Sequence, residues 1–329
     1  MSLNPRVAVT GAAGFIGGRL LEAFSKGATP GSVLAVDHPL RPGRPAPQEL
    51  VPGTPFLDHE AFLNQLESGE IQPEVILHMG ACSSTTETSW PYLEENNLNY
   101  SRRLWIWCAK HQRRLIYASS AATYGDGEAG FDDEGDLARL QPLNLYGRSK
   151  HDFDLWVEAQ IRAGAAVPLQ SVGLKFFNVF GFGEGHKGRM ASMVFHGYHQ
   201  VLQSGLVKLF QSHKEGYSDG GQLRDFISVE DVVSVIQALE RRPQVSGLFN
   251  LGTGRAESFK ALIEAVFAAL GREPRIEYIP MPEDLRGRYQ YFTQATMRKL
   301  AAAGIEYRPT PLAEAVRHYV ARLEAVAGR

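Results

Sequence analysis

Tyr146 and Lys150 stand one helical turn apart in YGRSK, a spacing that puts both side chains on one helix face. An ammonium beside a phenol stabilises the phenolate, so the pair is an acid/base candidate near neutral pH. Ser120, in IYASSAATYG at the end of an apolar run, supplies a hydroxyl that can bond a reacting carbinol oxygen and polarise the matching ketone. Ser119 is its immediate neighbour. Alternation along a strand lets only one of the two serines face a site.

A second group of residues suits a dinucleotide. Gly11, Gly14 and Gly17 stand in GAAGFIG, directly after the apolar run VAV and before a helical pattern. A strand that enters a helix through a tight glycine turn presents backbone N–H groups and a helix N-terminus to a pyrophosphate. The spacing is G-x-x-G-x-x-G. Asp37 ends the next apolar run roughly 20 residues later, where a carboxylate accepts from adenosine ribose hydroxyls. Arg41 and Arg44 follow closely and suit a 2′-phosphate. Asp37 thus argues for NAD and the arginines for NADP, and Lys150 is placed to bond the nicotinamide ribose.

These groups need a framework that brings them to one edge. The runs RVAVTG, SVLAVD, VILHMG, RLIYASS and QSVGLKFF alternate with helical patterns, among them Phe15 to Phe24 and Asn97 to Lys110. That alternation predicts an α/β fold with a doubly wound parallel sheet of Rossmann type. Tyr146 and Lys150 are expected just before a helix through Phe153, Leu155 and Trp156. Residues 1–176 read as the dinucleotide-binding domain. Residues 177–329 read mainly as a smaller, interleaved substrate-binding domain, with a strand near 247–252 returning to the first. Gly-rich loops such as GFGEGHKG suit a ligand-binding lid.

Composition narrows the function classes. At 329 residues, with 44% hydrophobic and 21% charged residues, the chain has enough material for a full core. A net charge of -2 gives no broad basic balance for nucleic acid or an anionic membrane. Cys82 and Cys108 are the two cysteines and read as reduced thiols. No signal peptide is evident, and no stretch approaches the roughly 20 apolar residues of a membrane span. A cytoplasmic location is the expectation. His196 and His199 have no third ligand at suitable spacing, so no metal site is expected.

Glycine turn, strand-end Asp37, Ser120 and Tyr146-x-x-x-Lys150 occur in the order of the short-chain dehydrogenase/reductase superfamily, and the chain resembles its extended branch. HMGACSSTTE, EENNLNYS, YASSAATYG, PLNLYGRSK, FFNVFGFGEGHKGRMAS, FNLGTGRAESF and LRGRYQYFTQA are more specific. Through them the chain resembles the ADP-L-glycero-D-manno-heptose 6-epimerase family over nearly its whole length. The resemblance implies inversion of carbon six of an ADP-heptose for lipopolysaccharide core assembly. It would proceed through a transient ketone with tightly bound NADP, NAD being the alternative, in a homo-oligomer.

The same resemblance assigns roles. Tyr146 and Lys187 would be the two bases, each serving one epimer, with Ser120 and Lys150 in support. Phe15 and Ile16 would lie beside the cofactor phosphates, Asp37 and His38 at the ribose, and Gly80, Ala81, Cys82 and Ser83 along the cofactor. Asn96 and Val179 complete the cofactor set. Asn178, Arg189, His196, Phe210, Arg224 and Tyr289 would contact substrate; a guanidinium such as Arg224 can grip a pyrophosphate with two parallel bonds. The chain departs from the family at His38, usually Asn, at Met79, often acidic, and at Arg189, usually small and polar. SHKEGYSDGGQL is longer than the family loop, and His38 to Pro55 matches poorly. Other nucleotide-sugar epimerases would share Ser120, Tyr146 and Lys150 without requiring Lys187. Dehydratases more often place Asp and Glu where Ala121 and Ala122 follow Ser120. A cofactor sensor without catalysis is the reading from a different class; retention of Ser120, Tyr146 and Lys150 weighs against it.

Overall fold

The computed structural model describes residues 4–38, 46–286 and 289–328; Arg41 and Arg44 lie outside the described residues. The first half supplies β1 (Val7–Thr10), β2 (Val33–Asp37), β3 (Phe56–Asp58), β4 (Val75–His78), β5 (Arg114–Ser120) and β6 (Gln170–Phe176). The second supplies β7 (Asn178–Phe180), β8 (Val207–Phe210), β9 (Leu223–Ser228), β10 (Gly247–Leu251), β11 (Ala256–Ser258) and β12 (Ile276–Ile279). The central sheet runs β3-β2-β1-β4-β5-β6-β10, with every pairing parallel. This is the Rossmann-type sheet that the alternation predicts. Its order reverses between β1 and β4, so a crevice opens beyond their carboxyl ends.

VAVT, VLAVD and VILH are apolar on both faces because both faces are covered by helices. Val7, Val9, Val33, Ala35 and Leu77 pack against Leu20 and Leu21 of helix Phe15–Ser25. Ala8, Leu34, Val36 and Ile76 point the other way, onto Phe62, Leu66, Leu104 and Phe153. Each of the Val, Leu, Ile and Phe side chains contributes about 1.5–3 kcal/mol by leaving water.

The second half has its own core. Val194, Tyr198, Leu262, Val266, Val316 and Val320 gather helices Met193–Ser204, Phe259–Ala269 and Leu312–Val326. They flank a three-stranded sheet, β11-β9-β7, and the parallel pair β12-β8. Helix Val229–Glu240 instead turns Val232, Val235, Ile236 and Leu239 onto the central sheet, and β10 then pairs with β6. Among the described residues, no helix is long and apolar enough to cross a membrane.

Three local features differ from expectation. The strand β3 has only three residues, too few to show a period of two. The helix expected from Asn97 starts at Trp90, and its Glu94–Asn99 segment is a wider π-turn before Tyr100–Lys110. YGRSK lies inside helix Leu145–Arg162 rather than before it. The Asn144 side chain caps that helix by accepting from the Gly147 N–H at 2.8 Å.

Candidate active site

The glycine turn closes on the β4 loop at the reversal point. Gly11 has φ +69°, and a Cβ there would lie 2.7 Å from the Gly80 nitrogen. A Cβ at Gly17 would collide with the Gly11 carbonyl oxygen. The first turn of helix Phe15–Ser25 has neither a side-chain cap nor an acidic residue, so its N–H groups face the crevice without a competing anion. A cavity of about 380 Å³ lies over it. Gly11, Gly14, Phe15, Ile16, Gly17, Asp37, His38, Gly80, Ala81, Cys82, Ser83 and Asn96 all line it, as do Tyr146, Lys150 and Lys187. A side-chain-free turn, an uncapped helix start and a strand-end carboxylate fit a nicotinamide dinucleotide.

Asp37 is buried, accepting from the Ala13 N–H at 2.8 Å and the His38 N–H at 2.7 Å. The His38 ring packs on His59 with centroids 3.7 Å apart. His59, which also lines the cavity, follows β3, and that strand pairs with the end of β2.

A directed chain of hydrogen bonds holds the β4 loop. Ser101 Oγ donates to the Asn97 carbonyl at 2.6 Å, which commits its one proton. His78 Nε2 must therefore donate to Ser101 Oγ, at 2.9 Å, and His78 Nδ1 accepts from Thr10 Oγ1 at 2.7 Å. Thr10 Oγ1 accepts in turn from the Gly80 N–H. Burial, then the nearby Lys150 charge, pushes His78 down to about 3 and keeps it neutral. The Asn97 side chain ties on the Cys82 loop, accepting from the Cys82 N–H and donating to the Cys82 carbonyl. Its amide also donates to Ser149 Oγ, which donates to the Tyr146 carbonyl.

The π-turn thus connects the cofactor loop to the catalytic helix. Asn97 was not singled out from sequence; its neighbour Asn96 was, and Asn96 lines the cavity while donating to the Tyr92 carbonyl.

Ser119 and Ser120 take different partners, but Ser119, and not the expected Ser120, is among the residues that line the cavity. Ser119 Oγ donates inward to Asp154 at 2.6 Å, whereas the Ser120 hydroxyl bonds Tyr146. Gly147 permits this approach, since a Cβ there would lie 2.7 Å from the Ala122 carbonyl oxygen. Burial raises the Tyr146 pKa, while the Ser120 hydrogen bond opposes the rise and the Cys82 and Asp154 charges add to it. The expected lowering by Lys150 is therefore corrected: burial sets the direction of the shift, Lys150 is not among its causes, and the phenol is the resting form. Lys150 donates to the Ala118 carbonyl at 2.9 Å, and burial pulls it down to about 8 against the opposing charges of Asp154 and Cys82.

Lys187 reaches the cavity from the other half of the chain. It lies in a tight turn, Gly185–Met190, between β7 and helix Met193–Ser204. Its ammonium sits 5.4 Å from the Phe15 ring centre, and burial lowers its pKa against the charge of Glu184. His186 and Met190 line the cavity beside it, and sequence reasoning had named neither. Their position next to Lys187 in GHKGRM was the available signal.

The expected substrate residues divide. Arg224, Tyr289 and Phe210 come together, with Arg224 5.2 Å over the Tyr289 ring and Phe210 6.3 Å from it. Arg224 donates to the Leu223 and Gln290 carbonyls, and Gln290 reaches the Gly125 carbonyl beyond Ser120. Asp225 faces away, taking the Thr253, Gly254 and Ala295 N–H groups, so the two neighbours form no ion pair. Asn178 is exposed on β7, its side-chain oxygen 3.4 Å from Thr293 Oγ1. Arg189 is exposed, and His196 is half-buried against Phe195. Val179 packs against the sheet core and does not line the cavity. No group of three His, Cys, Asp or Glu residues among the described residues is arranged to hold a metal.

A parallel sheet with a glycine turn at its reversal point, facing a Ser–Tyr–Lys group, defines a dinucleotide-dependent enzyme fold. The chain belongs to the NAD dependent epimerase/dehydratase family, whose model matches residues 7–252. It is 42% identical over 324 residues to an ADP-L-glycero-D-manno-heptose-6-epimerase of Alkalilimnicola ehrlichii, covering 98% of this chain and 97% of that one. It is 48% identical over 275 residues to the enzyme so named in Nitratidesulfovibrio vulgaris, covering 83% and 84%. The crystal structure of the Helicobacter pylori ADP-L-glycero-D-manno-heptose-6-epimerase superposes with a TM-score of 0.79 at 26% identity, covering 98% and 97%.

Proposed function

We propose that this protein is an isomerase that converts ADP-D-glycero-D-manno-heptose to its L-glycero epimer at carbon six, supplying lipopolysaccharide core assembly. The observation that carries the reading is that Tyr146 and Lys187, from opposite halves of the chain, line one cavity with the dinucleotide turn. A reaction that removes and restores one C–H bond on opposite faces needs a proton-handling group on each side.

The bound dinucleotide supplies a hydride acceptor that returns what it takes, so no net redox change occurs. The chain's own groups manage the proton. For one epimer Tyr146 takes the hydroxyl proton as the carbinol becomes a ketone, with Ser120 bonding the same oxygen. For the other, Lys187 serves from the opposite side, and its lowered pKa makes the neutral amine easier to reach. Lys150 steadies the phenolate and the ribose. Asn178 and Arg224 position the sugar and the diphosphate.

We assign NADP as the cofactor. His38 and His59 give the ribose end two imidazoles suited to a 2′-phosphate, while both Asp37 oxygens already take backbone N–H groups. Mass analysis of cofactor released from purified protein decides between NADP and NAD. Proton NMR of ADP-D-glycero-D-manno-heptose with the protein, alongside Tyr146→Phe, tests the reaction. Conversion that is lost in the variant is the expected result. No conversion by folded, cofactor-loaded protein would overturn the heptose assignment.

A further inference from the structure

Behind the Ser120–Tyr146 pair lies a fully buried ionic cluster that the reaction itself does not touch. Lys175 on β6 donates to Asp154 Oδ2 at 2.8 Å and to Thr123 Oγ1 at 2.6 Å. Thr123 Oγ1 donates to the Ser120 carbonyl at 2.8 Å. Ser119, directly beside Lys175 across the β5–β6 pairing, also donates to Asp154 Oδ2. Asp154 stands two turns beyond Tyr146 on the face that carries Tyr146 and Lys150. Both charged side chains of the pair are wholly excluded from solvent.

We propose that Asp154, held by Lys175, is a positioning residue that fixes the Ser120 turn against the catalytic helix and sets the charge environment of Lys150. The proposal rests on the catalytic reading of Ser120, Tyr146 and Lys150. Each strand-end serine is gripped from beneath: Ser119 through its hydroxyl, Ser120 through its carbonyl and Thr123. The helix is gripped at the same carboxylate.

A purely stabilising role explains this arrangement poorly. A buried ion pair gains little over apolar residues of similar volume, because two desolvated charges offset their mutual attraction. Asp154 Oδ1 is also buried without a hydrogen-bond partner, so the cluster is not arranged for greatest stability. Asp154 does act on the machinery: its charge supports the Lys150 ammonium and opposes ionisation of Tyr146. The groups around Asp154 are Lys175, His151, Tyr117, Tyr124 and Tyr146; those around Lys150 are Asp154, Cys82 and His78.

The test compares cofactor-loaded wild type with the neutral double variant Asp154→Asn/Lys175→Met and with Thr123→Val, which keeps the ion pair. Turnover and KM are read across pH, and Lys150 is titrated by NMR in protein carrying carbon-13 lysine, assigned through Lys150→Arg. The double variant is expected to lose about 10- to 100-fold in kcat with little change in KM, since small misplacements of reacting groups cost on that order. Its Lys150 midpoint should fall. Thr123→Val is expected to lose several-fold in kcat with the Lys150 midpoint unchanged.

Wild-type kcat and an unmoved midpoint in the double variant would overturn the proposal. If the double variant does not fold, wild-type kcat in Thr123→Val overturns it alone. Failure of wild type to convert the ADP-heptose would sink the substrate assignment instead. The Lys150 titration, which needs no substrate, would then decide for or against Asp154, with the apolar pair Asp154→Leu/Lys175→Met read in place of a double variant that does not fold.

Discussion

The Lys187 ammonium faces the ring of Phe15 at 5.4 Å, so the group proposed as second base rests over the glycine turn. A cation over an aromatic face is held by about 0.5–1 kcal/mol where solvent reaches it, and by more once desolvated. That hold is weak enough for the side chain to leave the ring when a sugar enters.

Lys187→Met should bind cofactor normally and lose net epimerisation by about 10²- to 10⁴-fold, the usual worth of a positioned acid or base. One epimer should still cause transient reduction of the bound cofactor, followed by absorbance of the reduced nicotinamide, while the other causes none. Equal transients from both epimers with wild-type turnover would remove Lys187 from the chemistry.

Glu184 secures the two feet of the Lys187 turn. Its buried carboxylate accepts from the Gly181 N–H, the Ser192 N–H at 2.6 Å and the Ser192 hydroxyl at 2.7 Å. Ser192 in turn caps helix Met193–Ser204. Glu184→Ala leaves these donors without a partner, at a cost of about 1–3 kcal/mol for each that stays buried. We expect a lower Tm, retained cofactor and a turnover loss close to that of Lys187→Met. A variant with reduced Tm but unchanged turnover would show that the turn keeps its shape without the carboxylate.

The alternation of apolar runs and helical patterns made the sheet legible, because strands buried on both faces must be continuously apolar. The glycine turn, Asp37, Ser120, Tyr146 and Lys150 were legible for a related reason: each occupies a position where local backbone geometry and chemistry coincide. Asn97 and His78 were not. Both act through hydrogen bonds to residues distant in sequence, and nothing at their own positions signals a partner. Val179 stands apart: the resemblance gives it a cofactor contact, while its partly buried side chain packs against the sheet core. Tyr146 differs again: proximity to an ammonium was readable from spacing, but burial, which sets the direction of its pKa shift, was not.

The proposed cofactor role of Lys150 predicts that binding is sensitive to pH. Burial brings its folded midpoint to about 8 from the ordinary 10.5. Below about 8 the folded and unfolded chains both hold the proton. Between the two values the unfolded chain binds it and the folded chain does not, so stability rises with pH across that window and is lost as pH falls back through about 8. Affinity should run the other way, because the ammonium proposed to bond the ribose disappears as pH rises. Protein stripped of cofactor should bind the dinucleotide about tenfold less tightly above pH 8, the loss of one charge-assisted hydrogen bond. Lys150→Arg should abolish the dependence, and a wild-type profile that is flat from pH 7 to about 9 would contradict it.

Arg224 tests the substrate arm. Two backbone carbonyls and the Tyr289 ring fix its guanidinium, which leaves a planar, oriented donor set. Lysine keeps the charge but lacks both the fork and the flat face that stacks on Tyr289. In the proposed substrate the diphosphate is remote from the reacting carbon, so a grip by Arg224 would be shared by ground and transition states. Arg224→Lys should then raise KM by about 10- to 100-fold and leave kcat within a few-fold. The opposite split, a fall in kcat at constant KM, would place Arg224 near the reacting centre and require the sugar to bind with its diphosphate turned away from Tyr289.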